Sequence, residues 1–191
     1  MNQNDNIVTT AILTDAENMA KLNNQIYPKE WHVSPEYLKK IIKRNPEVYR
    51  IYKTRDDIKG IYGFFPLTES NYHAVLEGTL EENEIADYIL DYSQSKKVYL
   101  YLITIIVDIY DDNRKEYASK LIKDIPRELN RLKTKGITIK EVGAFAVSAD
   151  GEKLLPKIGF EQQKGETIKL NNHKYPVFRA KTENILENIK I

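Results

Sequence analysis

The stretch from Lys96 to Ile109 constrains this chain more than any other. It reads KKVYLYLITIIVDI and is apolar at odd and even positions alike. A strand of that kind buries both faces, so it belongs in the interior of a sheet covered on both sides. It is far too short to cross a bilayer. Asp111, Asp112 and Asn113 follow as a capping cluster. Ala118, Leu121, Ile122, Ile125, Leu129 and Leu132 then recur at helical spacing, which predicts a long helix from Asn113 through Leu132. Pro126 should kink or interrupt it and Gly136 should close it. Ile137–Val147 reads as a second buried strand, and Asp150–Ile158 as a short helix ending at Gly159. Strands alternating with helices indicate an α/β fold with a mixed sheet.

The flanking segments supply smaller elements. Ile7–Leu13 reads as a strand. Asp15 is placed to cap a helix over Ala16–Ile26, with Met19, Leu22 and Ile26 on its apolar side. Ser34 as cap and Pro35 at the first helical position open a second helix, with Leu38, Ile41 and Ile42 inward and Asn45-Pro46 as its stop. Val48–Thr54 and Lys59–Pro66 pair as a hairpin around Arg55-Asp56-Asp57. Tyr72–Gly78 reads as a further strand and Glu81–Tyr92 as a helix with Ile85, Ile89 and Leu90 inward. Ile168–Leu170 and Tyr175–Ala180 form a closing pair around Asn171-Asn172. There is no internal repeat and no linker, so residues 1–180 are expected to form one domain and residues 181–191 a loose helical tail. A chain of 191 residues buries roughly 70% of its unfolded surface and needs no staple.

Composition narrows the function classes. The 29 Lys+Arg against 28 Asp+Glu leave a net charge of +1, unlike a duplex-DNA binder or a disordered chain. Cysteine is absent, which excludes disulfides, thiolate metal sites and cysteine nucleophiles. His32, His73 and His173 lack metal-ligand spacing. The N-terminal MNQNDNIVTT has neither a basic nor an apolar leader pattern, so the expected compartment is the cytoplasm and no membrane partner is expected. Phosphate-loop, dinucleotide, serine-hydrolase and zinc-protease motifs are missing. Glu77, Glu81, Glu82, Glu84, Asp87 and Asp91 form a stretch without a basic residue, either a solvated face or a rim that attracts a cationic amine. Asp108 is a carboxylate at the end of the central strand. His73 is the histidine to test as a base, and Trp31 lies in a segment, YPKEWHVSP, suited to acceptor contact. The basic residues of the second half of the long helix and its exit, from Lys120 to Lys140, read as a solvated outer face, and nucleic acid is disfavoured as a partner.

Two pieces carry a resemblance. One is the buried strand, acidic loop and helix opening NRKEYASKLI (Asn113–Ile122). The other is AVSADGEKLLPKIGFEQ (Ala146–Gln162), a strand and helix running into Gly-Phe. Over about residues 5–180 the chain resembles the GNAT superfamily of N-acetyltransferases. The resemblance implies a GNAT-like, mostly antiparallel sheet with splayed central strands and helices on both faces. It implies acetyl-CoA as co-substrate and transfer of its acetyl group to an amine, small-molecule or peptide, held in a cleft between those strands. The thioester carbonyl would meet the backbone of Val107 to Ile109. The pyrophosphate would meet Arg114, Lys115, Glu116, Tyr117, Ala118 and Ser119, with Ser148 also in reach. Glu82 and Asp108 are the expected general bases. The family's phosphate loop, Q/R-x-x-G-x-G/A, would fall on Asn113, Glu116 and Ala118, or on Arg114, Tyr117 and Ser119, and neither frame has a glycine. Leu155 stands where many members carry the tyrosine that reprotonates the thiolate; Ser148, Tyr110 or Tyr117 would have to substitute. The alternative is a GNAT-like binding or regulatory module without catalysis. A homodimer is left open.

Overall fold

A computed structural model describes residues 7–55, 57–170 and 172–190, except for the side chain of Glu82. Asp56 and Asn171, expected in turns, lie outside the described residues. The strands are β1 (Ile7–Thr10), β2 (Tyr49–Lys53), β3 (Ile58–Leu67), β4 (Lys97–Val107), β5 (Thr138–Phe145), β6 (Glu161–Leu170) and β7 (His173–Ala180). The helices are α1 (Ala16–Ile26), α2 (Pro35–Arg44), α3 (Glu69–Glu77), α4 (Glu82–Ile85), α5 (Arg114–Thr134), α6 (Ala149–Lys157) and α7 (Thr182–Asn188). The sheet order is β1-β2-β3-β4-β5-β7-β6. The β1–β2, β2–β3, β5–β7 and β6–β7 pairs are antiparallel and β4–β5 is parallel, so the expected mixed α/β sheet is present.

The chain divides into two compact units. The first is Met1–Phe64 with Ile103–Asp124, and the second is Phe65–Leu102 with Ile125–Ile191. In the first unit α1 and α2 have the expected bounds. Ser34 Oγ accepts the Tyr37 amide, and Pro35 occupies the first turn, where an amide hydrogen would have no partner. Asp15 does not cap α1 with its side chain. It is buried, accepting the Ile12 amide at 3.0 Å and meeting Lys53 Nζ at 2.7 Å. The long helix α5 turns the carboxylate of Asp124 inward. Asp124 receives the fork of Arg50 at 2.9 and 3.1 Å and the hydroxyl of Tyr62 at 2.9 Å, which offsets the cost of burying its charge.

In the second unit three expectations are corrected. Tyr72–Gly78 is not a strand but most of α3. Thr68 Oγ1 accepts the Asn71 amide, Tyr72, Val75 and Leu76 are buried at helical spacing, and Gly78 closes the helix at φ +75°. The helix expected over Glu81–Tyr92 stops at Ile85. The Leu90 amide is committed instead to the Pro66 carbonyl at 2.8 Å. β6 begins at Glu161 rather than Ile168; EQQKGET is polar on both sides because this strand lies at the end of the sheet order, mostly exposed. Residues Thr182–Asn188 form α7, with Ile185 fully buried. α5 runs as one helix through Pro126, which offers no amide to the Ile122 carbonyl.

Candidate functional site

The parallel β4–β5 register runs from Lys97↔Thr138 to Tyr101↔Gly143. β4 continues to Val107, turns through residues 108–113 and enters α5 at Arg114. That strand end, loop and first helical turn lie in the first unit, and Lys59 of β3 organises them. Its carbonyl accepts the Asp108 amide at 2.9 Å. Its ammonium lies 3.0 Å from Asp108 Oδ2, 3.3 Å from Asp111 Oδ2 and 3.5 Å from Asp57 Oδ2. The hydrogen bond to Asp108 and then that to Asp111 hold the Lys59 ammonium protonated well above the ordinary lysine range. Asp111 is held below the usual carboxylate range, first by the Asn113 amide and then by Tyr117 and Lys59.

Several of the loop's amides are satisfied within it. Asp108 Oδ1 accepts the Tyr110 amide at 3.1 Å and Asp111 Oδ1 the Asn113 amide at 2.9 Å. The Arg114 amide donates to the Asp111 carbonyl at 3.1 Å, and those of Glu116 and Tyr117 donate to the Asn113 carbonyl at 2.9 and 3.2 Å. Tyr117 is buried and lies against Tyr52 with ring centroids 5.0 Å apart. Burial pushes its hydroxyl above the ordinary tyrosine range.

Of the expected site residues, Val107, Asp108, Ile109 and Arg114 to Ser119 therefore share one strand–loop–helix turn. Val107 and Ala118 are half-buried, whereas Arg114, Lys115, Glu116 and Ser119 are exposed. Ile109 and Tyr110 are large side chains turned to solvent, at 48% and 71% exposure. Ser148 belongs to the second unit, where its Oγ caps α6 by accepting the Gly151 amide at 3.1 Å. Glu82 opens α4, also in the second unit.

Sequence reading missed other groups. Tyr27, just after α1, places its hydroxyl 3.0 Å from Thr104 Oγ1 on β4. Asn23 and Asn24 pin the segment that follows: Asn23 donates to the Trp31 carbonyl at 2.9 Å, and Asn24 bonds both the amide and the carbonyl of Val33. The single clue to this was a pair of asparagines in the last turn of a helix, a site where their propensity is poor. In the second unit Arg179 of β7 reaches Glu141 at 3.2 Å and Glu166 at 3.1 Å, and stacks 5.7 Å from the centre of the Tyr72 ring. Tyr72 donates its hydroxyl to Glu141 at 3.0 Å. Burial, then the Glu141 charge, drives that hydroxyl well above the ordinary range. His73 Nδ1 lies 3.5 Å from Arg179 Nη1, and the acidic residues Glu77, Glu81, Glu84 and Asp87 are exposed. Among the described residues no group of three His, Asp or Glu could hold a metal ion, and no helix is long and apolar enough to cross a membrane.

Neither a family model nor a curated protein matches the chain. Solved structures do. The GphF GNAT-like decarboxylase in complex with isobutyryl-CoA superposes with a TM-score of 0.67 at 15% identity, over 92% of this chain and 98% of that one. The loading GNATL domain of CurA from Lyngbya majuscula gives 0.69 at 10% identity, over 94% and 99%. Aminoglycoside 6'-acetyltransferase type Ii gives 0.60 at 11% identity, over 92% and 97%. At these identities the likeness concerns backbone architecture. The chain has the GNAT fold.

Proposed function

We propose that the chain is an N-acyltransferase that moves an acetyl group from the thioester of acetyl-CoA to an amine. The observation that carries this reading is the end of the β4–β5 register at Tyr101↔Gly143, while β4 itself runs on to Val107. Beyond that point an extended pantetheine arm offers amides to pair with the β4 backbone. The fold likeness supports the reading, because one of the similar structures holds isobutyryl-CoA.

The chemistry follows from the groups at hand. The thioester carbonyl lies against backbone donors near Val107 to Ile109, which stabilise the oxyanion as it forms. The amine nitrogen attacks the carbonyl carbon, the C–S bond breaks, and the amine's surplus proton ends on the departing thiolate, through a base and an acid or through water. Glu82 and Asp108 remain the proposed bases. Asp108 takes that role by exchanging a partner, because Lys59 holds one oxygen and the Tyr110 amide the other. Tyr27, on Thr104 of the same strand, is the proposed proton donor to the thiolate, the role Leu155 is unable to fill.

The test is thiol release from acetyl-CoA with panels of polyamines, aminoglycosides and peptides, beside calorimetric titration with acetyl-CoA. Amine-dependent release is the expected result. Absence of both release and binding would overturn the reading. Binding without release favours a second reading, a non-catalytic acyl-thioester-binding module, for which the absence of a tyrosine at Leu155 already speaks.

A further inference from the structure

We infer that the donor is held through its pantetheine arm alone, so that an acyl-pantetheine thioester lacking the nucleotide serves as well as acyl-CoA. This rests on the acyl-transfer reading above and adds the donor class to it. A helix N-terminus grips phosphate when its amides are unpaired and its positive end faces the anion. Here the loop's own groups take most of the amides on which a phosphate would draw. The amides of Tyr110 and Asn113 go to the carboxylates of Asp108 and Asp111, and those of Arg114, Glu116 and Tyr117 go to loop carbonyls. The loop holds two built-in anions, and Lys59 serves as their counter-ion.

Backbone access and charge agree. Residues 108–119, DIYDDNRKEYAS, contain no glycine, so a side chain stands at every position where a pyrophosphate would approach the backbone. Residues 108–119 carry Asp108, Asp111, Asp112 and Glu116 against Arg114 and Lys115, and with Asp57 and Lys59, which pair with each other, the segment has five negative charges and three positive. The local field therefore opposes a nucleotide bearing a pyrophosphate and a ribose phosphate. The reaction does not need that nucleotide. The N–C bond forms, the C–S bond breaks, and the proton lost by the amine is gained by the pantetheine thiolate, with or without the nucleotide.

The experiment is calorimetric titration of the full chain with acetyl-CoA, acetyl-4'-phosphopantetheine and acetyl-pantetheine, with adenosine 3',5'-bisphosphate as competitor. All three thioesters should bind within about threefold of one another, and the bisphosphate should displace none of them. If acetyl-CoA binds about thirtyfold more tightly than acetyl-pantetheine, or the bisphosphate competes, the inference is overturned while the acyl-transfer reading stands. If no thioester binds at millimolar concentration, both fall. Asp111→Asn supplies an independent arm: its amide oxygen still accepts from Asn113, but one anion is gone. The ratio of acetyl-CoA to acetyl-pantetheine affinity should rise by about threefold or more, and an unchanged ratio counts against the inference.

Discussion

Two cations, Lys59 in the first unit and Arg179 in the second, each gather several acidic groups. Lys59 presents one nitrogen to three carboxylates, Asp57, Asp108 and Asp111, all in turns or loops. Arg179 presents a planar fork, one nitrogen to Glu141 of β5 and the other to Glu166 of β6, with its face over Tyr72 of α3. A compact ammonium satisfies partners from any direction, so it suits loops that converge irregularly. A guanidinium demands directions, so it suits partners fixed by strands and a helix. The lysine sets the shape of a loop, and the arginine locks a helix across a sheet.

That contrast fixes an order of effects. The largest belongs to Gly143→Val. A Cβ at Gly143 would overlap the Tyr72 hydroxyl oxygen, so the ring must leave its seat and release Glu141. Urea unfolding should show a loss of about 3 kcal/mol. A loss under about 1 kcal/mol would show that α3 shifts as a body and that the lock is loose. Next comes Arg179→Lys, which keeps the charge and removes the fork. It should cost about 2 kcal/mol, less than a fully buried pair because Glu166 is half exposed. A lysine tolerated without loss would erase the distinction between the two cations.

Lys59→Ala should be the mildest, about 1 kcal/mol near neutral pH, since its partners keep access to water. Its pH dependence sharpens the comparison. Asp111 is depressed in the folded chain, so its contribution is present above its ordinary 3.8 and is lost as pH falls through the lower folded value. Lys59 is raised, so its contribution is present below its ordinary 10.5 and is lost as pH rises through the higher folded value. The stability gap between wild type and Lys59→Ala should be flat from about pH 5 to about pH 9 and shrink in acid. A gap that widens in acid contradicts the clamp.

How far the sequence could be read depended on how local the deciding physics was. Ser34 and Pro35 specify the start of α2 within one turn, and the structure begins that helix at Pro35. The two-faced apolar run specifies β4 by itself. α3 is not legible although Thr68 and Gly78 bracket it, because Tyr72 and Val75 suggest a strand as readily as a helix when only a few residues are weighed. The first half of β6 is not legible because a strand at the end of a sheet, with few residues buried, carries little hydrophobic signal. The site was legible as a segment and not as a network. The strand–loop–helix turn at 107–119 is visible in sequence, but Lys59 is 49 residues from Asp108 and Tyr27 is 77 from Thr104, so only the folded chain brings them together.

The order in which a ribosome delivers these residues gives the lysine a history. Lys59 emerges beside Asp57, 49 residues before Asp108 is made. Asp108 and Asp111 then arrive together, immediately before the helix they introduce. The loop is therefore closed by its last-made half, and the start of α5 takes its direction from a cation placed in the sheet long before it.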